Sequence, residues 1–312
     1  MLRFQALGRL TVTNDLGDCT PTAPMARRVL AQLLLCSNNI VMLDAIIDEL
    51  WGDKPPKSAV PTAQTYIYQL RRQFEPWVPE GTVEQVLATC GTGYMLRVDP
   101  DQLDLAAFLR LSKQGRTALA AGDPAAAARL LRQALDLWSG PALADVTAGP
   151  SIQAHVVHLT EQRAHTVELR IQADAMLGRH RELVGELKAM LLTHPLNEWY
   201  HAQLIKALAS SGRRNESLVA YQHLRRTLSA ELGLEPSGVL RELHQEVLAG
   251  RDSWSDWGVS GGPSRSSSPG SHRPAESTGM DRGSPRGDPR PRRCRPTCCA
   301  GAGRRRRPGC AR

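Results

Sequence analysis

A chain of 312 residues with 41% hydrophobic content is long enough for two domains of ordinary size, and nowhere shows the roughly 20 uninterrupted apolar residues of a membrane span. Its formal charge of +8 points to a polyanionic partner, but from Arg251 onward there are 14 Arg, no Lys and 5 acids, which leaves residues 1–250 at a net −1. Any argument for nucleic acid must therefore rest on where charges sit in the folded part, and not on their sum.

The opening MLRFQALGRLTVTND lacks a signal-peptide core, so a cytoplasmic location is expected. Cys294, Cys298, Cys299 and Cys310 lie in the basic tail; Cys19, Cys36 and Cys90 are scattered without pairing or ligand spacing, which argues against a disulfide framework.

Three textures follow one another along the chain: mixed strand-like and helix-like runs over 1–98, an almost wholly helical pattern over 99–250, and a stretch rich in Gly, Pro, Ser and Arg over 251–312. LRFQAL and RLTVT alternate as short strands and stop at the turn-prone NDLGD. ARRVLAQLLLC, residues 26–36, is a helix with an apolar stripe through Val29, Leu30, Leu33 and Leu34. LDAIIDELW puts Leu43, Ile46, Ile47 and Leu50 on one face, leaves Asp44, Asp48 and Glu49 as a solvated face, and ends at Gly52 as a cap. After the loop GDKPPKS, whose prolines forbid helix, come SAVPTAQTYIYQLRRQF and then VEQVLATCGTGYMLRV, two short strands around a glycine-containing turn.

At 100° per residue, Val60, Ala63, Ile67, Leu70 and Phe74 of the 58–74 stretch fall within about 80° and form its buried stripe. Pro61 sits in the first turn, where a missing N–H costs little. Opposite the stripe lie Thr62, Thr65, Gln69 and Arg72, with Tyr68 on a flank and Arg71 nearer the core boundary. A face of this chemistry suits a major groove: Gln pairs with adenine, Arg with guanine or phosphate, and Thr methyls touch thymine. A solvated face that lacks glutamates would look the same. The short helix before it and the hairpin after it are the parts of a winged helix-turn-helix.

In the helical region, LDLAAFLRLSKQGRTALAAG and DPAAAARLLRQALDLW form a helix pair hinged at Gly122-Asp123-Pro124, with Asp123 as N-cap. Further on, 173–184 and 206–219 align at an offset of 34, Gly178 with Gly212 and Glu182 with Glu216, which is the tetratricopeptide period. About seven stacked helices are expected. His155, His158 and His165 lack a ligand set and are read as surface or packing residues. No nucleophile elbow or phosphate loop is present, so neither catalysis, nor a cofactor, nor a metal is expected. The 251–312 tail admits three readings: a disordered basic arm, a cysteine metal site, or a by-product of out-of-frame translation, the last being favoured.

LDAIIDELWGDKPPKSAVPTAQTYIYQLRRQF, GTGYMLRVDPDQLDLAAFLRL, ALAAGDPAAAARLLRQALDLWSGPALADV and AELGLEPSGVLRELHQEVL together resemble the Streptomyces antibiotic regulatory protein family of transcriptional activators, over about residues 1–250. The resemblance implies a mainly α fold with a small β component: an OmpR-like winged-helix DNA-binding domain over 1–98, then a bacterial transcriptional activation domain of tetratricopeptide-like helices over 99–250. It implies a pathway-specific activator of an antibiotic or other secondary-metabolite cluster, binding direct repeats in double-stranded DNA as a head-to-tail dimer, recruiting RNA polymerase, and associated with the nucleoid when bound. On the family's pattern the recognition helix is 59–74, with Thr62, Thr65, Tyr68, Gln69, Arg71 and Arg72 toward DNA. The wing lies near Thr89 to Tyr94, with Thr92 and Gly93 at DNA, and the loop of Gly52, Asp53, Lys54 and Lys57 faces polymerase. Pro61 stands where family members often have Asn, which alters a contact at the helix start. A receiver domain and the ATPase module of the longest members are not expected, since the sequence opens on the winged helix's own strands and contains no GxxxxGK[ST]. The competing reading is a protein-interaction adaptor whose winged helix no longer reads DNA.

Overall fold

A computed structural model describes residues 1–251, so the expected tail, from position 252 on, lies outside the described residues. The chain starts with an antiparallel sheet ordered β1 (Arg3–Gln5), β2 (Thr11–Asn14) and β3 (Gly17–Asp18). Phe4 and Val12 face each other across it and are buried, as the alternation demands. The Asn14 side chain closes the next turn by accepting the Leu16 and Gly17 amides.

Helix α1 (Pro24–Leu35) buries Val29, Leu30, Leu33 and Leu34. A short strand β4 (Val41–Met42) leads into α2 (Leu43–Trp51), which stops at Gly52 with φ +57°. Helix α3 (Ala59–Phe74) starts from Ser58, so Pro61 falls among the first amides, which have no intrahelical acceptor. One helical turn, α4 (Val83–Val86), precedes β5 (Leu87–Cys90) and β6 (Gly93–Leu96). The second sheet is ordered β4-β6-β5.

Three details depart from the sequence pattern. VEQV is helical and not extended, because the Gln85 and Val86 amides both turn back to the Thr82 carbonyl. β4 is only two residues long, too short to show alternation, and is made by pairing with β6. Val60 stays 45% exposed while Ala59 is buried in its place. Both positions lie about 50° from the centre of the apolar sector, so the wheel alone cannot choose between them.

The remaining helices are α5 (Asp104–Ala120), α6 (Pro124–Leu135), α7 (Pro150–Met176), α8 (His180–Thr193), α9 (Glu198–Ser210), α10 (Arg214–Leu232) and α11 (Gly238–Ala249). Asp123 caps α6 by accepting the Ala126 amide at 2.9 Å. The turns α5–α6, α7–α8 and α9–α10 repeat one hydrogen bond: Asp123 to the Ala118 carbonyl, Arg179 to Asp174, Arg213 to Leu208. The echo at 34 residues is thus a repeated turn geometry. Among the described residues no helix is long and apolar enough to cross a membrane.

The largest apolar cluster crosses from Phe4, Leu30 and Phe74 to Phe108, Trp138 and Ile152, with Phe4–Phe74 and Phe108–Trp138 ring pairs meeting edge to face. Three carboxylates stitch the same seam by accepting backbone amides from the other side. Asp104 takes Ala6 and Leu7, at 2.9 and 3.0 Å. Asp145 takes Leu10 at 2.8 Å and pairs with Arg27. Glu49 corrects the sequence expectation: it is not on a solvated face but 1% exposed, accepting Gly149 at 2.5 Å, Ser151 at 2.8 Å and Ile152 at 3.1 Å, with Arg28 Nε at 3.1 Å. Its acceptors' partners are the first amides of α7, which have no carbonyl within the helix. A Cβ at Gly149 would sit 2.5 Å from Glu49 Oε1, so only glycine lets the carboxylate approach.

Glu49→Ala should strand those amides and the Arg28 charge in the core, at a cost of about 3–5 kcal/mol, read as a lowered denaturant midpoint; Arg28→Ala should cost less. A second effect is pH-dependent. Burial pushes the His201 imidazole below its ordinary 6.5, against the upward pull of the Pro195 carbonyl and Glu198. The unfolded chain then takes the proton first as pH falls, so stability held above about pH 6.5 declines below it. His201→Gln should flatten that decline in urea titrations on either side of the value; His180 and His244, also lowered by burial, keep part of it.

Candidate nucleic-acid interface

α3 runs about 24 Å at 1.5 Å per residue, long enough to lie along a major groove. Ala59, Ala63, Ile67, Leu70 and Phe74 anchor it on α1 and α2. The opposite side presents Pro61, Gln64, Thr65, Tyr68, Gln69 and Arg72 to solvent. Tyr68 is 61% exposed, unusual for an aromatic with no apolar cover. Gln64, one turn before Tyr68, belongs to this face although the sequence reading passed over it; its position on the helical wheel was the available signal. Thr62 is half-buried at the margin.

Chemistry differs among these side chains. The Thr65 hydroxyl donates to the Pro61 carbonyl at 2.8 Å, so its methyl and oxygen lone pairs are what it can offer a base. Among the described residues, the Tyr68, Gln69 and Arg72 side chains make no hydrogen bond or ion pair. No acid lies between Asp53 and Glu75, so nothing on the helix itself opposes a phosphate.

Arg71 is placed differently. It is half-buried, and its guanidinium donates through Nε and one terminal nitrogen to the Leu87 carbonyl at 3.0 and 2.8 Å and to Thr89 Oγ1 at 2.8 Å. The neighbouring arginines thus point apart, one to the hairpin and one to solvent.

The hairpin turns through Gly91 and Thr92 between paired Cys90 and Gly93. Thr92 is exposed at the tip, and its carbonyl accepts the Leu43 amide at 3.1 Å. Gly93 is buried beneath the tip; a Cβ there would come within 2.6 Å of the Val41 carbonyl. Its glycine is required by the close approach of β4, which ties the hairpin to the start of α2. On the other side of α2, Asp53, Lys54 and Lys57 are exposed and Gly52 is half-buried; neither lysine forms an ion pair among the described residues.

Comparison with known proteins adds an independent line. Residues 103–248 match the family described as bacterial transcriptional activator domain. The chain is 42% identical over 250 residues to regulatory protein DnrI of Streptomyces peucetius, covering 79% of this chain and 92% of that protein. It is 38% identical to regulatory protein AfsR of Streptomyces coelicolor over 79% of this chain, spanning 24% of that longer protein. Among solved structures, Mycobacterium tuberculosis EmbR in complex with a low-affinity phosphopeptide superposes with a TM-score of 0.74 at 32% identity, covering 80% of this chain and 65% of EmbR.

Gly93→Val should force β4 from β6 at a cost of about 1–3 kcal/mol, read as faster hydrogen exchange across 41–43 and 93–96 with helical signal retained.

Proposed function

Because the chain belongs to the Streptomyces antibiotic regulatory protein family of transcriptional activators, we propose that it binds duplex DNA with α3 in the major groove and the β5–β6 hairpin against the backbone, and thereby activates an antibiotic or other secondary-metabolite gene cluster. It is a regulator and not an enzyme. The observation that carries the DNA reading is the exposed, acid-free side of α3, where Tyr68, Gln69 and Arg72 have no partner among the described residues.

Roles follow from the chemistry. Gln69 and Gln64 read base edges, with adenine the natural partner of a carboxamide. Arg72 takes guanine or a phosphate. Thr65, its hydroxyl engaged, offers its methyl to thymine, while Thr62 and Tyr68 pack at the groove margins. Thr92 and the Gly93 backbone approach the adjacent phosphates. The operator is a pair of direct repeats about one helical turn apart, occupied head to tail. The exposed loop Gly52–Lys57, with Lys54 and Lys57 unpaired among the described residues, is the surface turned to RNA polymerase. Such a regulator works in the cytoplasm, on the nucleoid.

Footprinting on promoters of biosynthetic genes adjacent to its own should show tandem protection. Arg72→Ala should weaken that binding about tenfold. If the arginine meets phosphate, the slope of log affinity against log salt drops by about 0.9; if it meets guanine, preference relaxes at one base. Folded protein that protects none of these promoters would sink the proposal.

A further inference from the structure

Arginine on a recognition helix is usually counted as a DNA contact, and Arg71 and Arg72 stand side by side. The geometry separates them. Arg71 has five N–H donors, and three are used within the protein: two on the Leu87 carbonyl and one on Thr89 Oγ1. β5 is the outer strand of its sheet, and the guanidinium fork occupies the edge that faces α3. Thr89 is the cross-strand partner of the buried Tyr94 and lies one residue before Cys90, which closes the hairpin turn opposite Gly93. A single side chain therefore spans from the last turns of the reading helix to a point two residues from the hairpin tip.

We infer that Arg71 is a positioning residue: it holds the wing at a fixed distance and angle from α3, so that helix and hairpin meet DNA as one preformed surface. The inference rests on the DNA-binding reading given above and assigns Arg71 to the protein side of that surface. The planar fork is what the site uses, since two roughly parallel donors share one carbonyl while a third reaches the hydroxyl. A lysine carries the same charge but cannot reproduce that arrangement. Charge-assisted bonds of this kind are each worth more than a neutral one, and among the described residues no other hydrogen bond joins α3 to residues 87–96. Without the fork, the wing would sample orientations in which Thr92 cannot reach the phosphate while α3 is seated.

The test uses the full chain and four variants: Arg71→Ala, Arg71→Lys, Thr89→Val and Arg72→Ala. Two quantities are measured: amide hydrogen exchange over residues 87–96, and affinity across a salt series for the footprinted promoter fragment and for a mixed-sequence duplex of equal length. For a positioning residue, Arg71→Lys is as damaging as Arg71→Ala. Hairpin amides exchange faster and promoter affinity falls about tenfold, with a smaller shift in the same direction for Thr89→Val. The salt slope of Arg71→Ala stays at the wild-type value. The inference is overturned if Arg71→Lys keeps wild-type affinity and hairpin protection, or if Arg71→Ala loses about 0.9 of salt slope, the mark of a phosphate contact. Should Arg71→Ala fail to fold, Arg71→Lys and Thr89→Val decide the matter. Wild-type protein that protects no promoter would count against the DNA reading alone, because hairpin exchange in Arg71→Lys still reports whether the fork holds the wing.

Discussion

A carboxylate removed from water must find hydrogen donors within the protein, and Glu49 finds them in the opening amides of a helix whose N-cap lies 100 residues later in the chain. The arrangement satisfies two needs together. The first turn of α7 has amides with no partner of its own and the positive end of a helix dipole, and Glu49 supplies both acceptor and negative charge. Arg28 Nε, from α1, completes the set at 3.1 Å. Since α1 and α2 are also the floor on which α3 lies, the carboxylate sits between the helix proposed to read DNA and the helical stack behind it. Asp104 and Asp145 use the same device, each accepting main-chain amides of the first sheet's loop from the helical side. Asp104 is held above the ordinary carboxylate range by its burial, against the pull of the Leu7, Ala6 and Leu105 amides. For Asp145, burial acts upward too, but the Leu10 amide and Arg27 outweigh it and the group is held low.

Charge is informative here only at the scale of single side chains. The +8 of the whole chain comes from its tail, and the described part is close to neutral. α3 combines an exposed face without acid with two adjacent arginines that turn different ways. The hundred-degree step between neighbouring helix residues turns Arg71 to the hairpin and Arg72 to solvent. One side chain shapes the surface, and the other is available to be read against.

Much of this was legible because the relevant interactions are local. The bounds of α2 and its stop at Gly52 follow from a nine-residue amphipathic pattern and one glycine. The Asp123 cap follows from a D-P pair, and the likeness of the α7–α8 and α9–α10 turns from a 34-residue spacing. What was not legible depends on distant partners. β4 exists only because β6 lies beside it. Val60 and Ala59 are equivalent on a wheel, and only the packing of α3 on its neighbours separates them. In sequence Glu49 has the i±4 environment of any exposed acid, and its amide partners, 100 to 103 residues away, are invisible at that range. That Arg71 turns to Leu87 and Thr89 is likewise invisible locally, because those partners lie 16 and 18 residues further along the chain. Sequence alone could not tell which of the two adjacent arginines turns inward.

The Glu49 seam bears on how regulators of this build can be recombined. Exchanging N-terminal segments between two such proteins by cutting near position 98 would split an apolar core shared by Phe4 and Phe108 and leave a buried carboxylate facing a foreign helix start. The natural unit of exchange is set by chemistry and not by the order of segments: whatever carries Glu49 and Arg28 must also bring a glycine placed like Gly149 and the amides after it. Hybrids joined without that pairing would carry an intact exposed face of α3 on a scaffold with nothing to hold it, and would fail for reasons that no inspection of that face could reveal.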